Sequence, residues 1–112
     1  MWKDDYKLQK IFNDFPKVEK FPCLCPICEK KDTHVYMQKY NQKTLRGGLW
    51  VWCSQCNSFS HSSIYVPAYW VNYPNLVLEN LSAIPMYLDN MKVEIDRHVN
   101  YILKNIENGK EL

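Results

Sequence analysis

Two Cys-x-x-Cys pairs constrain the fold of this chain more than any other feature of its sequence. The first pair is Cys25 with Cys28, and the second is Cys53 with Cys56. Two residues between cysteines let a tight turn aim both sulfurs at one point, about 2.3 Å from a shared zinc ion. The 24 residues between the pairs are enough for a hairpin that brings the two turns together. The spacing therefore predicts a zinc site with four thiolate ligands.

The N-terminus and the cysteine content favour metal binding over disulfides. The first residues, MWKDDYKLQK, lack the apolar segment of a signal peptide, so we expect a cytoplasmic protein. In a reducing compartment the five cysteines are metal ligands more often than disulfide partners. Residues 47–78 carry no charge but include prolines, asparagines and serines, so we do not expect them to span a membrane.

Four cysteine ligands would saturate a zinc ion and leave no position for water or substrate, so the predicted zinc is structural. Three other residues keep the ligand set open. Cys23 turns the first cluster into C-x-C-x-x-C and leaves its register undecided. His34 and His61 are alternative ligands.

Three segments rich in β-branched and aromatic residues are predicted strands: 33–40, 49–53 and 59–66. The first two form a hairpin whose tip holds Lys43 and Arg46. In the third, alternation places Phe59, His61, Ser63 and Tyr65 on one face.

Two helices complete the predicted α+β fold, which is a single domain over residues 1–112. The first covers residues 3–15 and ends at Pro16. The second covers residues 82–108, with Ser82 as its N-cap and Asn108-Gly109 as its stop. Its apolar positions follow helical spacing: Ile84, Leu88, Met91, Ile95, Val99, Ile102 and Ile106. We expect this stripe to pack on a small antiparallel sheet.

Residues 23–66 resemble the zinc ribbon family, whose fold is two Cys-x-x-Cys turns joined by β-strands. On this resemblance the four paired cysteines take the ligand positions. One departure is Glu29, which stands where zinc ribbons often have glycine.

No enzymatic motif is recognisable, and we expect no catalysis. A redox Cys-x-x-Cys normally lies at a helix N-terminus, whereas both pairs here have strand-like surroundings. His34 follows the first cysteine pair and has Tyr36 two residues on, which does not fit a zinc deaminase. There is no HExxH and no phosphate-binding glycine loop. His61 lies among serines, but its uncharged surroundings offer no acid to orient it.

A protein-binding module is the preferred function. Aromatic residues among small polar groups are typical of protein interfaces. The candidate contact residues are Trp50, Trp52, His61, Tyr69 and Trp70. The stretch GGLWVWCSQC…FSHSS…VPAYW is also similar to small bacterial immunity proteins of contact-dependent and other polymorphic toxin systems. That resemblance implies an antitoxin that occludes a toxin's active site, and acidic residues of the C-terminal half would suit a nuclease toxin.

Nucleic-acid binding is the alternative, since it is a frequent role of zinc ribbons. Residues 1–50 carry ten Lys/Arg against six Asp/Glu. The candidate phosphate contacts are Lys30, Lys31, Lys39, Lys43 and Arg46. The net charge of +2 is low for such a role.

Overall fold

A mixed five-stranded sheet forms the centre of the protein. The computed structural model describes residues 1–15, 17–18 and 20–107, and residue 107 by its backbone alone. The strands, in the order β1-β5-β4-β3-β2 across the sheet, are β1 (Lys3–Asp4), β2 (Cys23–Leu24), β3 (Lys31–Lys39), β4 (Arg46–Cys53) and β5 (Ser58–Tyr65). The predicted α+β class is confirmed.

Strands β3, β4 and β5 form an antiparallel meander, and each matches a strand predicted from the sequence. Thr33 is opposite Cys53, and Trp50 is opposite His61. The backbones of β3 and β4 approach each other closely near the hairpin turn, at Gly47 and Gln38. A Cβ on Gly47 would lie 2.0 Å from the Gln38 carbonyl oxygen, so only glycine permits this approach.

The N-terminal segment corrects the predicted helix over residues 3–15. It begins as β1, which pairs in parallel with β5, and continues through a 3-10 turn, Tyr6–Leu8, into α1 (Gln9–Asn13). The Asp5 side chain accepts a hydrogen bond from Lys7 N at 3.0 Å and so starts the turn. The predicted stop at Pro16 lies outside the described residues.

The predicted C-terminal helix is present but is broken and starts later. It consists of α2 (Met86–Asn90) and α3 (Lys92–Glu107), separated at Met91. Ser82 is not its N-cap, because the Ser82 hydroxyl donates to the Ile84 carbonyl at 3.0 Å and Pro85 takes the cap position. The predicted stop, Asn108-Gly109, lies outside the described residues.

Both faces of β4 are covered. Leu49 lies opposite Ser62, whose hydroxyl accepts from Gln9 Nε2 at 3.2 Å, so α1 lies on that face. Trp50 and Trp52 point to the other face, towards residues 82–89 and α3. The apolar positions of α3 that reach this core are Ile95, Val99, Ile102 and Leu103. Within the described part of the chain, no helix combines the length and apolarity required to cross a bilayer.

Candidate metal centre

The four paired cysteines converge on one point. Their sulfurs all lie within 4.8 Å of one another. Cys25 Sγ and Cys56 Sγ are 3.8 Å apart, and Cys28 Sγ and Cys53 Sγ are 3.7 Å apart. A tetrahedron with zinc–sulfur bonds of about 2.3 Å has edges of about 3.8 Å. These residues could therefore hold a zinc ion, and the cluster is compatible with a zinc-binding module.

The two cysteine turns have the same backbone conformation. We call residues 25–28 the first cysteine turn and residues 53–56 the second cysteine turn. Glu29 N donates to the Cys25 carbonyl at 2.9 Å, and Asn57 N donates to the Cys53 carbonyl at 3.0 Å. The residue that leaves each turn is left-handed, with φ of 63° at Glu29 and 58° at Asn57. This repetition aims two sulfurs from each turn into the same space.

The surroundings of the sulfurs require a cation if all four are to be thiolates. Ile27 N and Cys28 N point at Cys25 Sγ from 3.3 and 3.5 Å, which favours a negative sulfur. Burial, however, raises the pKa of Cys53 to about 12, because a charged thiolate is poorly solvated there. A bound divalent ion supplies the missing compensation and deprotonates its ligands.

Cys56 differs from Cys53 in its hydrogen bonding. Burial acts against its thiolate, but hydrogen bonds with Ser58 outweigh that effect and lower the pKa of Cys56 to about 7. The Ser58 hydroxyl lies 3.4 Å from Cys56 Sγ. This sulfur is therefore already prepared for a metal at neutral pH.

The three alternative ligands stand apart from the cluster in the described residues. Burial, with Asp96 nearby, raises the pKa of Cys23 to about 12, so it remains a thiol. His34 is held between two carboxylates. His61 stacks on Trp50 with ring centroids 4.5 Å apart.

His34 forms a charged network behind the second cysteine turn. Its side chain is 1% exposed. Its Nδ1 lies 2.8 Å from Asp96 Oδ1, and its Nε2 lies 2.7 Å from Asp32 Oδ1. A carboxylate oxygen therefore lies within hydrogen-bonding distance of each ring nitrogen, and His34 links β3 to α3.

Ser54, within the second cysteine turn, lies 3.2 Å from His34 Nε2. Ser54, His34 and Asp96 therefore have the order of a Ser-His-Asp triad. Asp32 Oδ1, at 2.7 Å, is the nearer partner of the same imidazole nitrogen, so this nitrogen is not directed at Ser54 alone. Ser54 instead donates to Asp89 Oδ1.

The same network fastens the second cysteine turn to its surroundings. Gln55 Nε2 donates to Asp32 Oδ2 at 2.8 Å, and Ser54 N donates to the Asp32 carbonyl at 3.0 Å. Asp89 in α2 also accepts from Trp52 Nε1 at 3.1 Å. The sequence does not reveal this network, because Asp89 and Asp96 are distant from residues 32–55, and only the Asp-x-His spacing of Asp32 and His34 points to it.

Three of the five contact residues proposed from the sequence are buried. The prediction that they contact a partner is therefore wrong. Trp50, Trp52 and Trp70 are at most 2% exposed. Trp50 Nε1 donates to the Ser82 carbonyl at 2.7 Å, which fixes the ring under residues 82–89. His61 is exposed and Tyr69 is half-buried.

Comparison with known proteins finds no matching family model, no similar curated protein and no similar solved structure. Fold and site together define an α+β domain with a four-cysteine cluster that could hold a metal ion. The surface and chemistry of the chain itself are therefore the guide to its function.

Proposed function

We propose that this chain is a zinc-stabilised, non-catalytic module of zinc ribbon type that binds a protein partner. Four thiolates complete a tetrahedral zinc site, so the ion stabilises the fold and takes no part in a reaction. The ion would be held by Cys25, Cys28, Cys53 and Cys56. Function then belongs to the surface of the domain.

The observation that carries this proposal is a set of exposed apolar side chains in the second half of the chain. Between 43% and 61% of each is exposed: Val71, Val77, Leu78, Ile84, Met86 and Val93. Residues 47–91, which contain most of them, include no lysine or arginine. Exposed apolar surface of this kind, with few charges among it, is typical of protein contact sites.

Part of this surface is a groove. Its lining contains no charged residue among those described: Asn80, Ser82, Ile84, Met86, Tyr87 and Asn90. The groove encloses about 390 Å³, which suits one or two apolar side chains of a partner. Tyr87 closes one side, where its hydroxyl accepts from Val77 N at 2.9 Å.

A toxin domain is the partner that the resemblance to immunity proteins suggests. Steric occlusion needs only a complementary surface and no catalysis by this chain. Glu79 and Glu94 are exposed and would favour a basic partner such as a nuclease. Asp89 and Asp96 are used inside the protein, so the acidic surface expected from the sequence is smaller.

Two features weigh against nucleic-acid binding as the main function. Lys39 is 8% exposed, and its ammonium donates to the Ala68 carbonyl at 3.1 Å, so it does not reach phosphates. The other four candidate residues, Lys30 and Lys31 against Lys43 and Arg46, lie at opposite ends of β3, a strand of nine residues. At about 3.3 Å per residue, Lys30 and Lys43 are separated by more than about 25 Å.

If a neighbouring reading frame encodes a toxin-like protein, binding to that protein tests the proposal. We expect a stable complex that the double substitution Ile84→Asp with Met86→Asp weakens by at least about tenfold, because a charge cannot be buried in the groove. Tyr101→Asp, at an exposed residue outside the groove, is the matched control and should leave affinity unchanged. Titration calorimetry measures the affinity of the wild type, the groove variant and the control.

The opposite result is tight binding to generic DNA or RNA that falls steeply between about 50 and 200 mM salt. If that binding is lost in Lys43→Ala with Arg46→Ala but kept in the groove variant, the nucleic-acid function replaces this one.

A further inference from the structure

The outer edge of β5 is open over most of its length. The neighbouring strand β1 pairs only with Ser58 and Phe59. Beyond that point the chain forms no further ladder with β5 and continues into the Tyr6–Leu8 turn, which contacts β5, and then into α1. His61, Ser63 and Tyr65 are exposed. An open strand edge offers backbone groups to any strand that can pair with it.

The hydrogen bonds to β1 show which backbone groups of β5 face outwards. Lys3 N donates to the Asn57 carbonyl and Asp5 N to the Phe59 carbonyl, both at 2.8 Å. Odd-numbered residues of β5 therefore point away from β4, and the β4–β5 register continues without a shift to Tyr65. Among the described residues, the N–H and C=O groups of residues 61, 63 and 65 have no partner.

The opposite long edge of the sheet is covered, since residues 33–39 of β3 are buried. Along β3, Asn72 accepts from Lys39 N at 2.7 Å and donates to the Lys39 carbonyl at 2.9 Å, as a neighbouring strand would. Tyr36 OH accepts from Tyr73 N at 2.9 Å. Proteins usually protect free edges with charges, proline or a bulge. Residues 58–65 have no charge and no proline.

We propose that a second copy of this chain adds to this edge, with β5 antiparallel to β5 about a two-fold axis at Ser63. This register places His61 opposite Tyr65 of the second copy, and Ser63 opposite its equivalent. The N–H and C=O groups of residue 61 then bond to those of residue 65 in the second copy, and the reverse. The groups of residue 63 bond to those of residue 63, which makes six hydrogen bonds. The two sheets become one sheet of ten strands.

The side chains favour self-pairing over an unrelated strand. His61 Nδ1 donates to the Leu49 carbonyl at 3.0 Å, which leaves Nε2 as an acceptor. Tyr65 OH accepts from Arg46 at 3.3 Å, which leaves its own hydroxyl hydrogen to donate. The Tyr65 hydroxyl of each copy thus faces His61 Nε2 of the other, and neither cross-strand pair opposes like charges.

Sedimentation of the zinc-loaded chain from about 10 µM to about 1 mM tests this association. We expect a concentration-dependent dimer. Ser63→Pro removes only an outward N–H and should weaken dimerisation at least about tenfold, since proline is tolerated on an edge. Ser63→Ala keeps the N–H and should dimerise as the wild type does. A chain that stays monomeric at the highest concentration, or a Ser63→Pro variant that dimerises normally, overturns the proposal.

Amide hydrogen exchange gives a second readout that does not depend on a proline variant. In dilute wild-type protein the amides of residues 61, 63 and 65 should exchange quickly, while those of residues 60, 62 and 64 are protected by β4. At dimer-forming concentrations all six should be protected. Protection that does not change with concentration contradicts β5 pairing. Ile84→Asp should leave this association intact, which separates it from the partner groove.

Discussion

The two cysteine turns share one geometry but are supported in different ways. Both end in a left-handed residue and close with the same backbone hydrogen bond. The first turn follows the two-residue strand β2, and its additional backbone bond runs from Cys25 N to the Lys30 carbonyl at 2.9 Å. The second turn joins the ends of β4 and β5, and Ser54 and Gln55 tie it to the charged network.

The two turns therefore differ in how they contribute to metal binding and to the stability of the surrounding fold. Holding a metal requires only that four sulfurs meet, which two short turns achieve. Transmitting the stability of the metal site to the rest of the domain requires contacts, and the second turn makes most of these. Through Asp32, Asp89 and Asp96 it reaches β3, α2 and α3. We therefore expect the first turn to depend on metal for its order, and the second turn to keep part of its structure without it.

Metal removal should have the largest effect. Structural zinc contributes an apparent 10–16 kcal/mol or so, comparable with a total domain stability of about 5–15 kcal/mol. Chelation should therefore unfold most of the domain, and at partial chelation the amides of residues 25–30 should lose protection before those of residues 53–58. Hydrogen exchange measures the order of loss.

A matched control for this experiment is Cys23→Ser, which should keep one equivalent of zinc by elemental analysis because Cys23 lies outside the cluster. Loss of protection in both turns at the same chelator concentration would mean that the network gives the second turn no independent support.

Replacing His34 should have the next largest effect. His34→Leu leaves the Asp32 and Asp96 carboxylates without their shared hydrogen-bond partner, and each hydrogen bond to a charged group contributes about 1.5–3 kcal/mol. Tyr101→Leu, at an exposed residue of α3, is the control and should change stability by less than about 0.5 kcal/mol. Urea unfolding with zinc in excess measures both. Similar values for the two variants would show that the network contributes little.

The residues after the first cysteine of each turn allow a direct comparison. Ser54→Ala removes a hydrogen bond to the Asp89 carboxylate and should cost about 1.5–3 kcal/mol. Pro26→Ala, at the equivalent position of the first turn, should cost only about 0.4–1 kcal/mol through a more flexible unfolded chain. The same urea experiment applies. If Pro26→Ala is the more costly change, the assignment of support to the second turn is wrong.

The sequence predicts the local parts of this molecule well. The cysteine spacing leads to the four sulfurs that the structure brings together, and the three long strands follow from β-branched and aromatic content. It does not show that Asp96, 62 residues from His34, completes a charged network. Nor does alternation along β4 show that layers cover both of its faces, which is why Trp50 and Trp52 are buried.

The helix errors have a related cause. The apolar periodicity of the second half continues through Met91, but periodicity does not detect a break of one residue in the backbone. In the N-terminal segment, β1 exists only because β5 accepts it as a parallel neighbour. Such short strands depend on tertiary pairing and not on their own propensity.

The smallest predicted effect concerns the left-handed residue that leaves each turn. A residue with a Cβ pays about 1–2 kcal/mol in this conformation, whereas glycine does not, although glycine loses about 0.5–1 kcal/mol of chain entropy on folding. Glu29→Gly should therefore stabilise the protein by up to about 1 kcal/mol. Asn57→Gly should change little, because asparagine tolerates left-handed geometry. Urea unfolding at a fixed zinc concentration measures the change in unfolding free energy for both variants. An equal gain at both positions would mean that the turns are equally strained despite their different residues.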